Sequence, residues 1–273
     1  MADRNLASFF RGGRFSTREG MLLEIPPSGF DWQGVGGIPS VIDPFAVATA
    51  QVFPLGTKLT YGERMFRYAK NGGTLGVTGN LYQAVVPLAG HLDEVIGTNA
   101  IGDKTVDFTP NTVTTDDLTA NELQDGYFWV ISGTGLGQML RIKSHPAITG
   151  AVLGVLTLVD PFYVATAAAS KGSVIHNTYR AVIIHPASDP TAETAGVMVA
   201  PIAANGFGWL QTHGPCSVLM AASVLIDDWC VPSTGTAGAV MPSAAIETDG
   251  PAVGQAMAIS GTAEHAAIRL TIE

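Results

Sequence analysis

Gly133, Gly135 and Gly137 in the stretch SGTGLGQ have the spacing that lets a backbone close on the pyrophosphate of a dinucleotide. That chemistry also needs a small residue at the sixth position and a helix behind the glycines. Gln138 stands at the sixth position, and QMLRIKSH alternates like a strand. The stretch is therefore expected to be a glycine-rich hairpin joining YFWVIS to MLRIK. The six histidines, His91, His145, His176, His185, His213 and His265, show neither H-E-x-x-H nor H-x-H spacing. His213 and Cys216 lie three apart, but no second such pair completes four ligands. Asp227 and Asp228 are adjacent, so on a strand they would point to opposite faces and could not act across one substrate. There is no G-x-S-x-G nucleophile elbow and no glycine-lysine phosphate cradle. These spacings predict no catalytic residue, no metal and no cofactor.

Two further residue types carry alternatives. Trp209 in GFGWLQTHG sits in an apolar alternating context and is expected in a core or an interface, with sugar stacking as the rival. Cys216 and Cys230 are too few for a disulfide scaffold. They are expected to be buried thiols, and a disulfide would need adjacent strands to bring them together.

The elements that must position these residues are mostly short strands. QVFPLGTKLTYG and RMFRYAKNGG alternate between turn residues, and the second ends on Asn71-Gly72-Gly73. LYQAVVPLA, KTVDFTP, YFWVIS, QMLRIKSH, AVLGVLTLV, RAVIIH, GVMVAPIA, GFGWLQT, CSVLMAASVLI, GQAMAIS and AAIRLTI follow. About a dozen strands at intervals of about 8–15 residues predict a mainly β chain, a sandwich or a barrel. Short helices are expected after Thr115, in the alanine-rich segment that ends at Lys171-Gly172, and over Pro44–Thr49.

The bulk numbers set limits on partners. The chain has 273 residues, 47% hydrophobic and 14% charged, with a net charge of −9. An acidic chain gains no counterion release on nucleic acid, so none is expected as partner. The opening MADRNLASFFRGGRF lacks the apolar run of a secretory signal, and Asp160 and Pro161 break the longest apolar stretch, so no membrane is expected either. The low charge predicts a surface covered by partner subunits.

Residues 1–42 differ from the rest. Within residues 1–18, Arg4, Arg11, Arg14 and Arg18 stand against one acid, Asp3, whereas the remaining 255 residues have 10 basic and 22 acidic residues. Prolines and the GVGG stretch block regular elements. Phe9, Phe10, Phe15, Leu22, Leu23, Phe30 and Trp32 are too many apolar residues for a solvated tail and are expected to fill a partner's groove. The segment is expected to be an extended arm, poorly packed on its own body. Arg11 and Arg14 would fix register on a neighbour while the aromatics supply most of the energy. The rival is an edge strand folded back on the same body. The expected division is an arm at 1–42, a β-rich domain at 43–175, and a second β-rich domain, or a continuation of the first, at 176–273.

Several stretches together resemble the capsid decoration, or cement, proteins of tailed phages. DPFAVATAQVFPLGTKLTYGERMFRYAKNGG is similar to the start of their folded part, and DGYFWVISGTGLGQMLRIKSH to one of their hairpins. GVMVAPIAANGFGWLQTHGPCSVL and AVGQAMAISGTAEHAAIRLTI resemble later strands of that family. The pieces span most of residues 43–273. Gly135-Leu136-Gly137 departs from the pattern, which often has an acid there. The resemblance implies a non-enzymatic virion protein, made in the host cytoplasm, that sits on the capsid surface and binds the major capsid protein. It also implies an oligomer, with a trimer favoured over a dimer. A tail or spike component that binds host glycans and a hydrolase on a β scaffold are the alternatives.

Overall fold

The structure, a computed structural model, describes residues 12–17, 19–34, 42–110, 116–149, 152–243 and 251–273. It is nearly all β, as the turn-rich alternation predicts. The strands run β1 (Gly13–Ser16), β2 (Leu22–Ile25), β3 (Lys58–Tyr61), β4 (Arg64–Lys70), β5 (Leu81–Gln83), β6 (Glu94–Val95), β7 (Thr105–Phe108), β8 (Tyr127–Ser132) and β9 (Met139–Ser144). They continue with β10 (Gly154–Leu158), β11 (Lys171–Ile175), β12 (Ile183–Ile184), β13 (Thr194–Met198), β14 (Phe207–Leu219), β15 (Trp229–Pro232), β16 (Val240–Pro242), β17 (Gly254–Ala256) and β18 (His265–Thr271). A 3-10 turn, Ala89–His91, lies between β5 and β6.

The chain divides into two compact units, and the division differs from the expected one. Residues 12–26, 32–86 and 178–273 form one unit, and residues 27–31 and 87–177 form the other. A boundary close to the one expected after residue 175 falls between Asn177 and Thr178. Residues 43–86, however, belong with the C-terminal third, because β4 pairs with β14 along its whole length, from Lys70↔Phe207 to Met65↔His213. Hydrogen-bonded register, which sequence adjacency does not reveal, sets the domain here.

The larger unit carries one sheet in the order β1-β2-β3-β4-β14-β18-β17-β15-β16, with β13, β5 and β12 branching from β14. A bridge from Met220 to Val240 links the end of β14 to β16 and closes the last five strands into a barrel-like ring. Val218, Met220, Cys230, Val240, Val253, Ile268 and Leu270 are among the residues that form its core. The 13-residue strand β14 can serve both halves because it kinks. Register shifts between Gln211 and His213, and Gly214 has φ +81°. A Cβ on Gly214 would lie 2.4 Å from the Glu63 carbonyl oxygen, so only glycine fits. The Gln211 amide braces the kink by donating to the carbonyls of His213 (2.9 Å) and Pro215 (2.8 Å).

The smaller unit is a six-stranded antiparallel sheet in the order β6-β11-β8-β9-β10-β7. Alternate residues of β7, β8 and β9 face a core that includes Phe108, Phe128, Leu140, Ile142, Leu156, Phe162 and Val174. Gly133, Gly135 and Gly137 have φ of +83°, +86° and +86° and form the expected β8–β9 turn.

Two expectations are corrected. Residues 12–34 of the predicted arm do not lie loose. β1 pairs with β2, and β2 pairs with β3, with Leu23 opposite Leu59. Met21, Leu23 and Ile25 point into the core, and Pro26 and Pro27 follow the end of β2. Period-two alternation over four residues wins over the glycine and proline punctuation around it. The edge-strand alternative therefore holds for this part, and residues 1–11, 18 and 35–41 lie outside the described residues. The helices are also corrected. Residues 44–49, 116–126 and 161–170 contain no α-helix. In the alanine-rich segment, the buried side chain of Gln138 takes the hydrogen bonds that a helix would have made internally. Its oxygen accepts from the Tyr163 (2.9 Å) and Val164 (3.0 Å) amides, and its nitrogen donates to the carbonyls of Gly135 and Val164.

Candidate functional site

Of the arm residues singled out, Arg14, Phe15, Phe30 and Trp32 are described, whereas Arg4, Phe9, Phe10, Arg11 and Arg18 lie outside the described residues. Arg14 reaches across β1–β2 to pair with Glu24, which also takes Lys58 at 3.6 Å. Phe15 meets the buried Trp32 edge-to-face, with centroids 6.0 Å apart. These two aromatics are thus spent on their own unit. Phe30 lies in the other unit, beside Ser28.

Sequence spacing gave no sign of three polar constellations. In the smaller unit, Asp125 is nearly buried and accepts from the Ser28 hydroxyl, from the Gly29 amide at 3.3 Å and from the Arg141 guanidinium at 3.0 Å. Burial pushes its pKa upward, and Arg141 and Ser28 pull against that push. The arrangement ties residues 27–31 to the β8–β9 hairpin.

Also in the smaller unit, the rings of His91 and His176 lie 6.1 Å apart, although 85 positions separate them in sequence. His91 Nε2 meets the Asp116 carbonyl at 2.9 Å, and His176 Nε2 lies 3.5 Å from Glu122. The hydrogen bond from His176 holds the Glu122 carboxyl down at about 2, helped by Thr119 and opposed by burial. A general base must titrate near its working pH to shuttle protons. A carboxylate held this low suits a fixed charge rather than such a base.

In the larger unit, Arg67 grips Glu273 through two parallel contacts of 2.8 and 2.7 Å, and Thr212 donates to the same carboxylate at 3.2 Å. Burial alone would raise the Glu273 pKa, but these partners hold it below the usual carboxylate range. The fork geometry clamps β4 to the end of β18.

The remaining chemical candidates resolve as packing groups. Trp209 is buried in an aromatic cluster, 5.1 Å from Tyr68 and 5.7 Å from Phe53. Cys216 and Cys230 are free thiols, and burial pushes their pKa values to about 12 and about 11. The thiolate is the nucleophile, so neither side chain is activated. His145 is fixed as a neutral tautomer, with Nδ1 donating to the Pro146 carbonyl and Nε2 accepting from the Leu123 amide. No group of three or more metal-binding side chains converges among the described residues.

What the surface offers instead is apolar area. Tyr127, Met139 and Val155 project from the outward face of the six-stranded sheet. On the larger unit, an antiparallel bridge between Val224 and Ser260 sets Leu225 opposite Ile259, and both are about two-thirds exposed. Ile226 and Met257 extend the same patch. No family model, no curated protein and no solved structure matches this chain.

Proposed function

We propose that this protein is a structural component of a phage-type virion, a decoration protein that binds the major capsid protein at the outer shell as a homo-oligomer. The observation that carries the reading is the exposed apolar surface on both units, Tyr127, Met139 and Val155 on one and Leu225, Ile226, Met257 and Ile259 on the other. Exposed apolar side chains in number on a folded protein are the material from which a partner-covered surface is made. A low charged fraction, 14%, fits a protein with much of its surface in contact with neighbours.

The resemblance adds support, because the residues that carry it have structural jobs here. Phe66, Tyr68 and Ala69 of FRYA are buried in β4, Trp209 is buried in β14, and Gln211 and Gly214 build the kink of that strand. Binding would be multivalent. Each copy need add only a modest interface of roughly 1,600 Å², since many copies act on one particle. The test is to mix the purified protein with undecorated shells, sediment the particles and image them. Saturable co-sedimentation with ordered outer density supports the reading, and protein that stays in the supernatant at micromolar concentration rejects it.

A further inference from the structure

The arginines of this fold are mostly committed to carboxylates. Arg14 holds Glu24, Arg67 holds Glu273, Arg141 holds Asp125 and Arg269 holds Glu63. Arg64, the first residue of β4, holds none among the described residues. Its guanidinium lies over three rings instead, Tyr61 and Phe66 at 5.5 Å and Phe45 at 5.8 Å. Phe66 is fully buried beneath it, whereas Phe45 and Tyr61 are each nearly half exposed. Beside them is an open depression of about 530 Å³, lined by Tyr61, Gly62, Glu63, Arg64 and Pro215. Glu63, the only acid in that lining, is paired with Arg269 at 2.9 Å.

Cation–π contact with ring faces does not consume the N–H donors of a guanidinium. Those donors form a planar fork that matches a carboxylate. Three rings around the cation fix the fork's orientation in advance, so little side-chain entropy is lost when a ligand arrives. Phe45 and Tyr61 add exposed apolar surface next to the charge, the composition of an interface hot spot. The rest of the chain is strongly negative, so this cationic recess favours an acidic visitor.

We propose that the Arg64 recess is the anchor point for a carboxylate of a partner protein, an Asp or Glu side chain flanked by apolar residues on the shell subunit. This rests on the capsid-binding reading given above. A carboxylated sugar would need several fixed polar groups to orient its hydroxyls. Apart from Arg64, the lining side chains offer only Tyr61 and the already paired Glu63.

The probes are the blocked peptide Leu-Glu-Leu-Glu-Leu and its glutamine counterpart, titrated calorimetrically into the full chain. Wild type is expected to bind the glutamate peptide saturably. The glutamine peptide, and the variants Arg64→Ala and Arg64→Lys, are expected to bind at least about tenfold more weakly. Arg64→Lys keeps the charge but loses the fork and the stack. Phe45→Ala removes a half-exposed ring from a turn and should weaken binding several-fold. It decides the matter with Arg64→Lys should Arg64→Ala not fold. Lys104→Ala, on the other unit, should change nothing. Equal binding of both peptides, or wild-type binding by the Arg64 variants, overturns the proposal, as does Arg64-dependent binding of D-glucuronate tighter than that of the peptide. Shell binding separates the two readings. Equal attachment of wild type and Arg64→Ala to undecorated shells rejects the anchor alone. Wild type that fails to attach to shells but discriminates the peptides rejects the capsid reading alone.

Discussion

His176 holds Glu122 ionised far below the pH at which an unfolded glutamate titrates, from near 4.5 down to about 2. A folded-state pKa below the unfolded one means that the unfolded chain takes up the proton first as pH falls. The contact therefore stabilises the fold fully above about pH 4.5, and that contribution disappears as pH falls through 2. Wild type should lose urea resistance over this window faster than Glu122→Gln, and the two midpoints should converge by about pH 2. Denaturation curves collected every half pH unit measure this. A gap that stays constant with pH would show that the pair has no role in stability. No reading of histidine spacing finds this pair, because His91, Glu122 and His176 meet only after β11 has paired with β8 and so brought distant segments together. By contrast, the burial of Trp209 was legible from its apolar neighbours, although residues 207–212 turn out to be buried on both faces rather than alternately.

Single side chains decide the course of whole elements here. Gln138 is fully buried, and its amide makes two acceptor and two donor contacts, so it replaces a stretch of secondary structure. Gln138→Ala would leave four backbone groups short of a partner. At about 1–3 kcal/mol for each buried group left unmet, and with water reaching some of them, the expected loss is about 3 kcal/mol. Chemical denaturation should give that value. Hydrogen exchange should speed up at the Tyr163 and Val164 amides and much less in β18. An unchanged exchange pattern would show that the loop is held by something else. The hairpins β3–β4 and β8–β9 were readable because alternation and glycine turns agree there. The segment before Lys171 was misread because alanine content argues for helix and says nothing of a glutamine 25 residues earlier. β1 and β2 were misread because their alternation spans only four residues each, and prolines and glycines surround them.

At the scale of the whole molecule, the exposed apolar residues and the low charge are the grounds on which self-association is proposed. Light scattering coupled to size exclusion should report an oligomer, a trimer before a dimer. The double variant Leu225→Asp, Ile259→Asp should shift the mass towards monomer without unfolding, because both side chains lie on the surface. A monomer at micromolar concentration in wild type would rule this out. Length and composition pointed to one or two β-rich bodies, and the end of the smaller one was visible near residue 175. Its beginning was not, because nothing in the chain near Val86 marks the point where the larger sheet pauses and a second sheet begins.

That pause gives the larger unit an unusual tolerance. β5 and β12 pair directly, with Gln83 opposite Ile183 and Tyr82 opposite Ile184, although about a hundred residues lie between them. Closing a flexible loop costs only about 0.6 kcal/mol more for each doubling of its length. Replacing the intervening segment with about ten residues would therefore change the closure term by roughly 2 kcal/mol. The paired strands would serve as a socket with leads at Val86 and Thr178, while residues 27–31 are a further crossing into the smaller unit. A compact passenger whose own ends lie close together would be expected to fit there, with the β5–β12 register supplied by the host, whereas Ser28 and Gly29 would lose the contacts they make with Asp125.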